Sequence, residues 1–403
     1  MKKFSPVLLL AGIALISGGC CTSLVVPNDQ TNFSGIAELA TNSPQSGPLR
    51  LFLIHGMSAH LPDWGEAYLK PLEANLGPGW SLEHLAEDHP VQWSDQPNDF
   101  VGSVRVYVMK HNGAARIVVY QLTWSPLTDP FKTNRFQSDV ALWRPFVNQT
   151  LRGVVDENLS DVVLYLSGFD SNVLNKTVQI ALTSFYSGEW DPDPAAKAAI
   201  PDSPVAVITE SLGSLMFIDG LRALAPPPEE EMDARLTSFL KNNQIVFMMA
   251  NQLNLLEMPS PEPSGPVPSP GSMVANESNP KAKSMRAFLR LRYNAMHPRH
   301  HLHSRGEEKT RMQPPPVGNS PFSFVAFNDP YDVLSYKITP DDVQEYAQVH
   351  WAVIDNFAPR NACDWFWLYE SPAKAHSGYK DNSHVVALVV NGYHKGKDPK
   401  STP

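Results

Sequence analysis

The sequence predicts an α/β fold: a mostly parallel central sheet flanked by helices. Three observations lead there. Residues 51–54, 205–208, 244–250 and 322–327 are apolar runs without alternation, the pattern of strands buried on both faces. Stretches with helical spacing, among them 64–76, 173–185 and 281–292, separate several of these runs. The chain has 403 residues, 42% of them apolar, enough for a sizeable core in one large domain or two ordinary ones.

Composition and the first residues bound the setting. A formal charge of −9 argues against a general nucleic-acid binder. The 37 prolines fall largely in clusters, so long loops are expected. Cys20, Cys21 and Cys363 are the only cysteines, too few for a disulfide framework, and Cys363 reads as a small buried residue. Lys2 and Lys3 precede an apolar run over 7–16 that is too short to span a bilayer, then Ser17–Gly18–Gly19–Cys20. This start resembles a bacterial lipoprotein signal. The resemblance implies a signal peptide over 1–19, lipidation of Cys20 and a cell-envelope location. Cys21 stands where an aspartate would retain the protein at the inner membrane, which implies the outer membrane, facing the periplasm. An ordinary secretory signal is the alternative. Residues 20–47, polar and rich in Pro, Asn, Ser and Thr, read as a flexible tether to a domain over 48–397.

Along the chain, 51–54 is a short strand ending at His55–Gly56–Met57–Ser58, and 64–76 places Tyr68, Leu69, Leu72 and Leu76 on one helix face. Residues 104–109 and 116–122 flank Asn112–Gly113, a strong hairpin signal. Residues 136–168 are helical in character, and 173–185 form an amphipathic helix. The 205–208 strand turns at Ser211 and Gly213 into a helix carrying Leu215, Met216, Ile218 and Leu221. A helix over 232–240 precedes the 244–250 strand. Six prolines between 258 and 270 then preclude a packed core. A basic amphipathic helix over 281–292, with Met285, Phe288 and Leu289 inward, completes an insertion over 257–318 that is either a lid or a surface excursion. After the 322–327 strand, 351–354 and 364–369 are strand candidates. A last helix over 385–390 is capped around Asp381 or Asn382.

The central segment Thr209–Glu210–Ser211–Leu212–Gly213 resembles the nucleophile elbow of the α/β-hydrolases, G-x-S-x-G, with a threonine in place of the first glycine. Upstream, His55–Gly56 at the end of an early strand resembles that family's oxyanion loop. Downstream, Asp332 follows the 322–327 strand, and His376 precedes the last helix. The order Ser, acid, His is that of the family. The resemblance spans most of 50–395. It implies an α/β-hydrolase fold with Ser211 as nucleophile, His376 as base and Asp332 as the acid that orients it. The Met57 and Leu212 N–H groups would form the oxyanion hole, and His55 and Gly56 would shape its loop. Asp329, before a proline, reads instead as a turn initiator. His384 reads as a first-turn helix residue, and Ser214 as packing near the elbow. Glu210 either faces the pocket or props the turn.

Two functional readings follow. One is an exported serine hydrolase cleaving carboxylic esters, esterase- or lipase-like, through an acyl-enzyme intermediate. The other is a non-catalytic envelope lipoprotein using the same fold as a binding or scaffold module. Neither calls for a cofactor. His297, His300, His301 and His303 lack the ordered scaffold or cysteine pattern of a metal site. The implied partners are an acyl ester and a membrane reached through the lipid anchor.

Overall fold

A computed structural model describes residues 22–27, 30–41, 47–85, 88–92, 100–129, 132, 156, 159–166, 171–191, 197, 200–225, 232–257, 284–296, 322–343, 352–362 and 371–396. The first half holds β1 (Ser23–Val25), β2 (Phe33–Ser34), α1 (Ile36–Thr41), β3 (Leu49–Ile54), α2 (Glu66–Leu76), β4 (Trp80–His84), β5 (His89–Gln92), β6 (Phe100–His111), β7 (Ala114–Thr123), α3 (Ser160–Leu166) and α4 (Ser171–Ser187). The second half holds β8 (Val205–Glu210), α5 (Gly213–Leu224), α6 (Ala234–Asn242), β9 (Asn243–Met249), α7 (Leu253–Leu256), α8 (Ser284–Met296), β10 (Phe322–Phe327), α9 (Pro340–Val343), β11 (Ala352–Arg360), α10 (Pro372–Ser377), α11 (Ser383–Asn391) and β12 (Gly392–Tyr393).

The fold is α/β, with a mostly parallel mixed sheet flanked by helices. Among the described residues the sheet has ten strands in the order β1-β11-β10-β9-β8-β3-β7-β6-β4, with β5 also on β6. The run from β7 to β11 through β3, β8, β9 and β10 is parallel, while β1, β4, β5 and β6 add antiparallel edges. The β6–β7 turn has Asn112 and Gly113 both at positive φ, the conformation whose twist suits a two-residue hairpin.

Strand side chains alternate between two cores. Phe52, Ile54, Val205, Val207, Val246, Met248, Phe322 and Phe324 pack under α4, α5, α6 and α8. Leu51, Leu53, Ala206, Ile208, Phe247, Val325 and Phe327 pack under α1, α2 and α11. Burial on both faces is why these strands read as unbroken apolar runs. A fully buried Leu or Phe here contributes about 1.5–3 kcal/mol relative to exposure. Arg50 is the polar exception in β3. Its buried guanidinium pairs with Asp191 at 2.5 Å and donates to the Phe185 carbonyl, tying the end of α4 to the sheet.

Two expectations need correction. The segment read as a flexible tether is folded wherever it is described. β1 pairs with β11, β2 pairs with β12, and Thr31 donates through its N–H and hydroxyl to Asp355. Phe33, Ile36 and Leu39 are buried, so sparse apolar residues anchor a polar stretch. The basic helix of the insertion is α8, which lies against α5 and α6 with Met285, Phe288, Leu289 and Arg292 buried. It bridges the parallel strands β9 and β10 as part of the crossover that such a pair requires. It is a core helix, not a lid. The prolines of 258–270, the histidines of 297–303, Cys20, Cys21, Cys363 and the strand expected at 364–369 lie outside the described residues. No helix among the described residues is long and apolar enough to cross a membrane.

Candidate active site

The site forms at the carboxyl edge of the parallel strands, where loops from β3, β8, β10 and β11 converge. β8 ends at Glu210, and Ser211 turns the chain at φ +51° before α5 begins. A non-glycine residue at positive φ stores strain, and such strain clusters at functional sites. The Ser211 N–H donates to the Met249 carbonyl at 2.8 Å, and Ala250 and Asn328 make the equivalent bonds to Phe327 and Phe357. These bonds extend the ladder past the strand ends and set the height of each loop. Close packing at the elbow rests on two glycines. A side chain at Gly213 would meet the His55 carbonyl at 2.6 Å, and one at Gly56 would meet Ser211 Cβ at 2.6 Å. Thr209, standing where the elbow pattern has a glycine, is accommodated by a 2.7 Å hydroxyl contact with Ser214.

Ser211, His376 and Asp332 lie in line. His376 Nε2 is 3.1 Å from Ser211 Oγ, and its Nδ1 is 2.8 Å from Asp332 Oδ2. The Asp332 side chain is fully buried, while the His376 side chain is 16% exposed, open enough to exchange protons with a ligand. Burial opposes charge on His376. The Asp332 hydrogen bond and charge, with a smaller contribution from Glu210, outweigh it, and the imidazole titrates above its ordinary value. His376 sits on the short helix α10, ahead of the last helix α11.

Asp329 lies in the same loop, but its carboxylate accepts the N–H groups of Tyr331 at 2.9 Å and Asn361 at 2.7 Å. It shapes the turn and fastens it to the end of β11. Asn361 in turn donates to the Ala375 carbonyl, and Asn382 donates to Asn361, so α10 is held from below. Tyr379 accepts the Asp329 N–H and reaches Asp332 Oδ2 at 3.4 Å. Burial and then the Asp332 charge push its hydroxyl well above the ordinary tyrosine value, keeping it a donor. Asn251 clamps the far end of the loop, exchanging 2.8 Å bonds with the Tyr336 backbone. Sequence reasoning read Asn382 only as a helix cap, which it is for α11, and missed Asn251, Asn361 and Tyr379. They are ordinary polar residues whose partners lie far away in sequence, so no local signal marks them.

The loop after β3 is fastened at His55 and Ser58. His55 is fully buried, with Nε2 accepting the Trp124 N–H at 3.1 Å while Nδ1 donates to the Gly56 carbonyl at 2.8 Å. Its ring stacks between His60 and Trp124. Burial, then the charges of His60 and Lys132, hold its pKa well below the ordinary histidine value. A neutral ring with both nitrogens engaged shapes the loop and cannot serve as a base. Ser58, at φ +79°, donates its N–H to the buried carboxylate of Asp161, which pairs with Lys132. Among the described residues no acceptor takes the N–H of Met57 or of Leu212. Leu212 also opens α5, whose N-terminal end favours negative charge.

Other candidates stand apart from this alignment. The His384 N–H is capped by the Asn382 side chain, and His394 faces Glu38 at 3.6 Å. Glu210 is half-buried beside Tyr68, whose hydroxyl is pushed well up first by burial and then by the Glu210 charge. Among the described residues no group of three or more His, Cys, Asp or Glu could hold a metal ion. No protein-family model, curated protein or solved structure matches the chain.

Proposed function

We propose that the chain is a serine hydrolase of the α/β-hydrolase type that cleaves carboxylic esters through an acyl-enzyme. The observation that carries this reading is the hydrogen-bonded line Ser211–His376–Asp332, with its serine at positive φ. The strand order supports it: the serine follows β8, the acid follows β10 two strands along the sheet, and the histidine follows β11.

In this mechanism His376 Nε2 takes the Ser211 proton as Oγ attacks the acyl carbonyl. Asp332 holds the proton on Nδ1 and stabilises the imidazolium that forms. The carbonyl oxygen, now an anion, turns toward the Met57 and Leu212 N–H groups, each contributing about 3 kcal/mol to the transition state. The imidazolium then protonates the departing alkoxide, and water attacks the acyl-enzyme by the same steps in reverse. A fluorophosphonate probe tests the reading. Labelling of the parent at Ser211, lost in Ser211→Ala together with turnover of p-nitrophenyl esters, is the expected result. Undiminished turnover by the variant would remove the serine-hydrolase reading, and a parent with neither labelling nor turnover would leave a non-catalytic scaffold as the better account.

We also propose export, with Cys20 acylated at the cell envelope. The support is the basic start, the apolar 7–16 run and the small residues before Cys20. Mass spectrometry of the mature N-terminus checks this, since an unmodified terminus beyond Cys20 would indicate free secretion.

A further inference from the structure

Large apolar side chains exposed to solvent are distributed unevenly over this molecule. Leu61 is 73% exposed on the loop after β3, Val163 and Leu166 are 63% and 53% exposed on α3, and Tyr331, Val333 and Tyr336 are 47%, 68% and 42% exposed on the loop after β10. α3 belongs to the same edge, because its Asp161 carboxylate accepts the Ser58 N–H beside the elbow. The six therefore lie on both sides of Ser211, all at the carboxyl edge. The turns at the opposite edge, at 77–79, 112–113 and 188–190, carry none. The positions are spread from β3 and α3 across to β10, and β3 to β10 alone is roughly 15 Å at the usual strand spacing. Anchors strung along an edge suit a broad, soft apolar phase better than a groove-fitting peptide.

A second observation gives the same direction. β1 runs antiparallel to β11 and pairs Ser23 with Arg360, the last residue of β11. The Asn382 side chain, which also braces Asn361, reaches the Ser23 carbonyl at 3.5 Å. The chain thus enters the domain at the carboxyl edge, next to the loop that carries Asp332. Val25, the remaining large apolar side chain exposed among the described residues, is on this entering strand. Cys20 stands two residues before Thr22, a reach of about 7 Å at most.

We infer that the carboxyl edge is a docking face for a phospholipid bilayer, with the Leu61, Val163, Leu166, Tyr331, Val333 and Tyr336 side chains entering the interface and the Ser211 site turned toward the lipid. An acyl group on Cys20 would hold the domain in this one orientation, because the folded N-terminal segment leaves no slack for rotation. Docking itself depends on the rim and not on catalysis.

The test uses the full chain carrying Cys20→Ser, which removes any covalent anchor, and phosphatidylcholine vesicles. The protein is expected to float with the vesicles. Leu61→Ser, Val333→Ser and Tyr336→Ser together should weaken partitioning about 1,000-fold, since each anchor lost is worth roughly tenfold, with the melting temperature retained. A photoactivatable phosphatidylcholine should form adducts on peptides containing residues 61 and 331–336. Equal flotation of the triple variant and its parent, or adducts concentrated on the 112–113 turn, would overturn the proposal. So would a rim that instead joins two copies of the chain, seen as a dimer dissociated by the triple substitution with no vesicle binding. Fluorophosphonate labelling of the same samples in solution reports the serine-hydrolase reading separately.

Discussion

At Ser211 a positive φ lifts the hydroxyl off the end of β8 to within 3.1 Å of His376 Nε2, and in the proposed mechanism the next N–H would meet the oxyanion. His376→Ala should lower kcat by on the order of 10⁴-fold, and Asp332→Asn by a comparable factor, because the amide favours the wrong imidazole tautomer. Asp329→Asn should behave differently. Its carboxylate accepts two backbone N–H groups, so the expected cost is in melting temperature, with kcat far less affected than in Asp332→Asn. Steady-state kinetics beside thermal unfolding separates the two aspartates. Glu210 enters through charge. Its charge favours the proton on His376, and in the proposed mechanism the base must be neutral to act, so the acid limb of kcat/KM should lie above the ordinary histidine value. Glu210→Gln removes that help and should move the limb to lower pH. A pH–rate profile with an unmoved limb would show that the carboxylate does not act on the base.

Among the elements, α8 shows how a charged helix can be a core helix. Its basic residues are those of a surface helix, yet Arg292 is buried and spends its guanidinium on the carbonyls of Leu240, Lys241 and Asn243 at the end of α6. It also stacks over Phe322, and desolvation lowers its pKa to about 10. A single guanidinium nitrogen, Nη1, meeting several carbonyls at a helix end satisfies acceptors that would otherwise be buried unpaired. Phe288, packed against Phe217, Phe322 and Phe324, carries the apolar side of the contact. Phe288→Ala should cost about 3–5 kcal/mol in denaturant unfolding while leaving the chain-length preference for p-nitrophenyl esters unchanged. A changed preference without loss of stability would restore the lid.

For the molecule as a whole, the N-terminal segment acts as a strap. It adds β1 at one edge of the sheet, pairs β2 with β12, and lays α1 against the face that α2 and α11 also cover. Phe33 is its anchor, in edge contact with Phe247 and Phe357 and close to Tyr393. Phe33→Ala should therefore destabilise the entire domain by about 3–5 kcal/mol, and native-state proteolysis should spare residues 30–41 in the parent but not in the variant. Cleavage of the parent there at the rate of an unfolded chain would return the segment to a tether. The strap also ties the chain's point of entry to the same edge as the loops that carry Ser211 and Asp332, a relation between residues more than three hundred positions apart.

Much of the architecture was legible in the sequence because its causes are local. Runs such as Val205 to Ile208 are apolar throughout since both faces of a central strand are covered, and the Asn112–Gly113 turn needs only its own two residues. The candidate triad could be ordered along the chain for a similar reason: each member sits just past a strand or just before a helix that its own pattern reveals. What those patterns cannot carry is which polar groups meet. Asp329 before its proline could be read as a turn residue, but only the convergence of β10, β11 and α10 shows that its carboxylate also takes the Asn361 N–H. The same holds for Asp161 beneath Ser58, for the brace of Asn361 and Asn382, for the buried Arg292, and for a polar N-terminus docked through Phe33 and Ile36. Periodicity is written by the solvent on each element separately. A hydrogen bond or a docked strap depends on distances between elements, and those exist only once the sheet has brought its loops together.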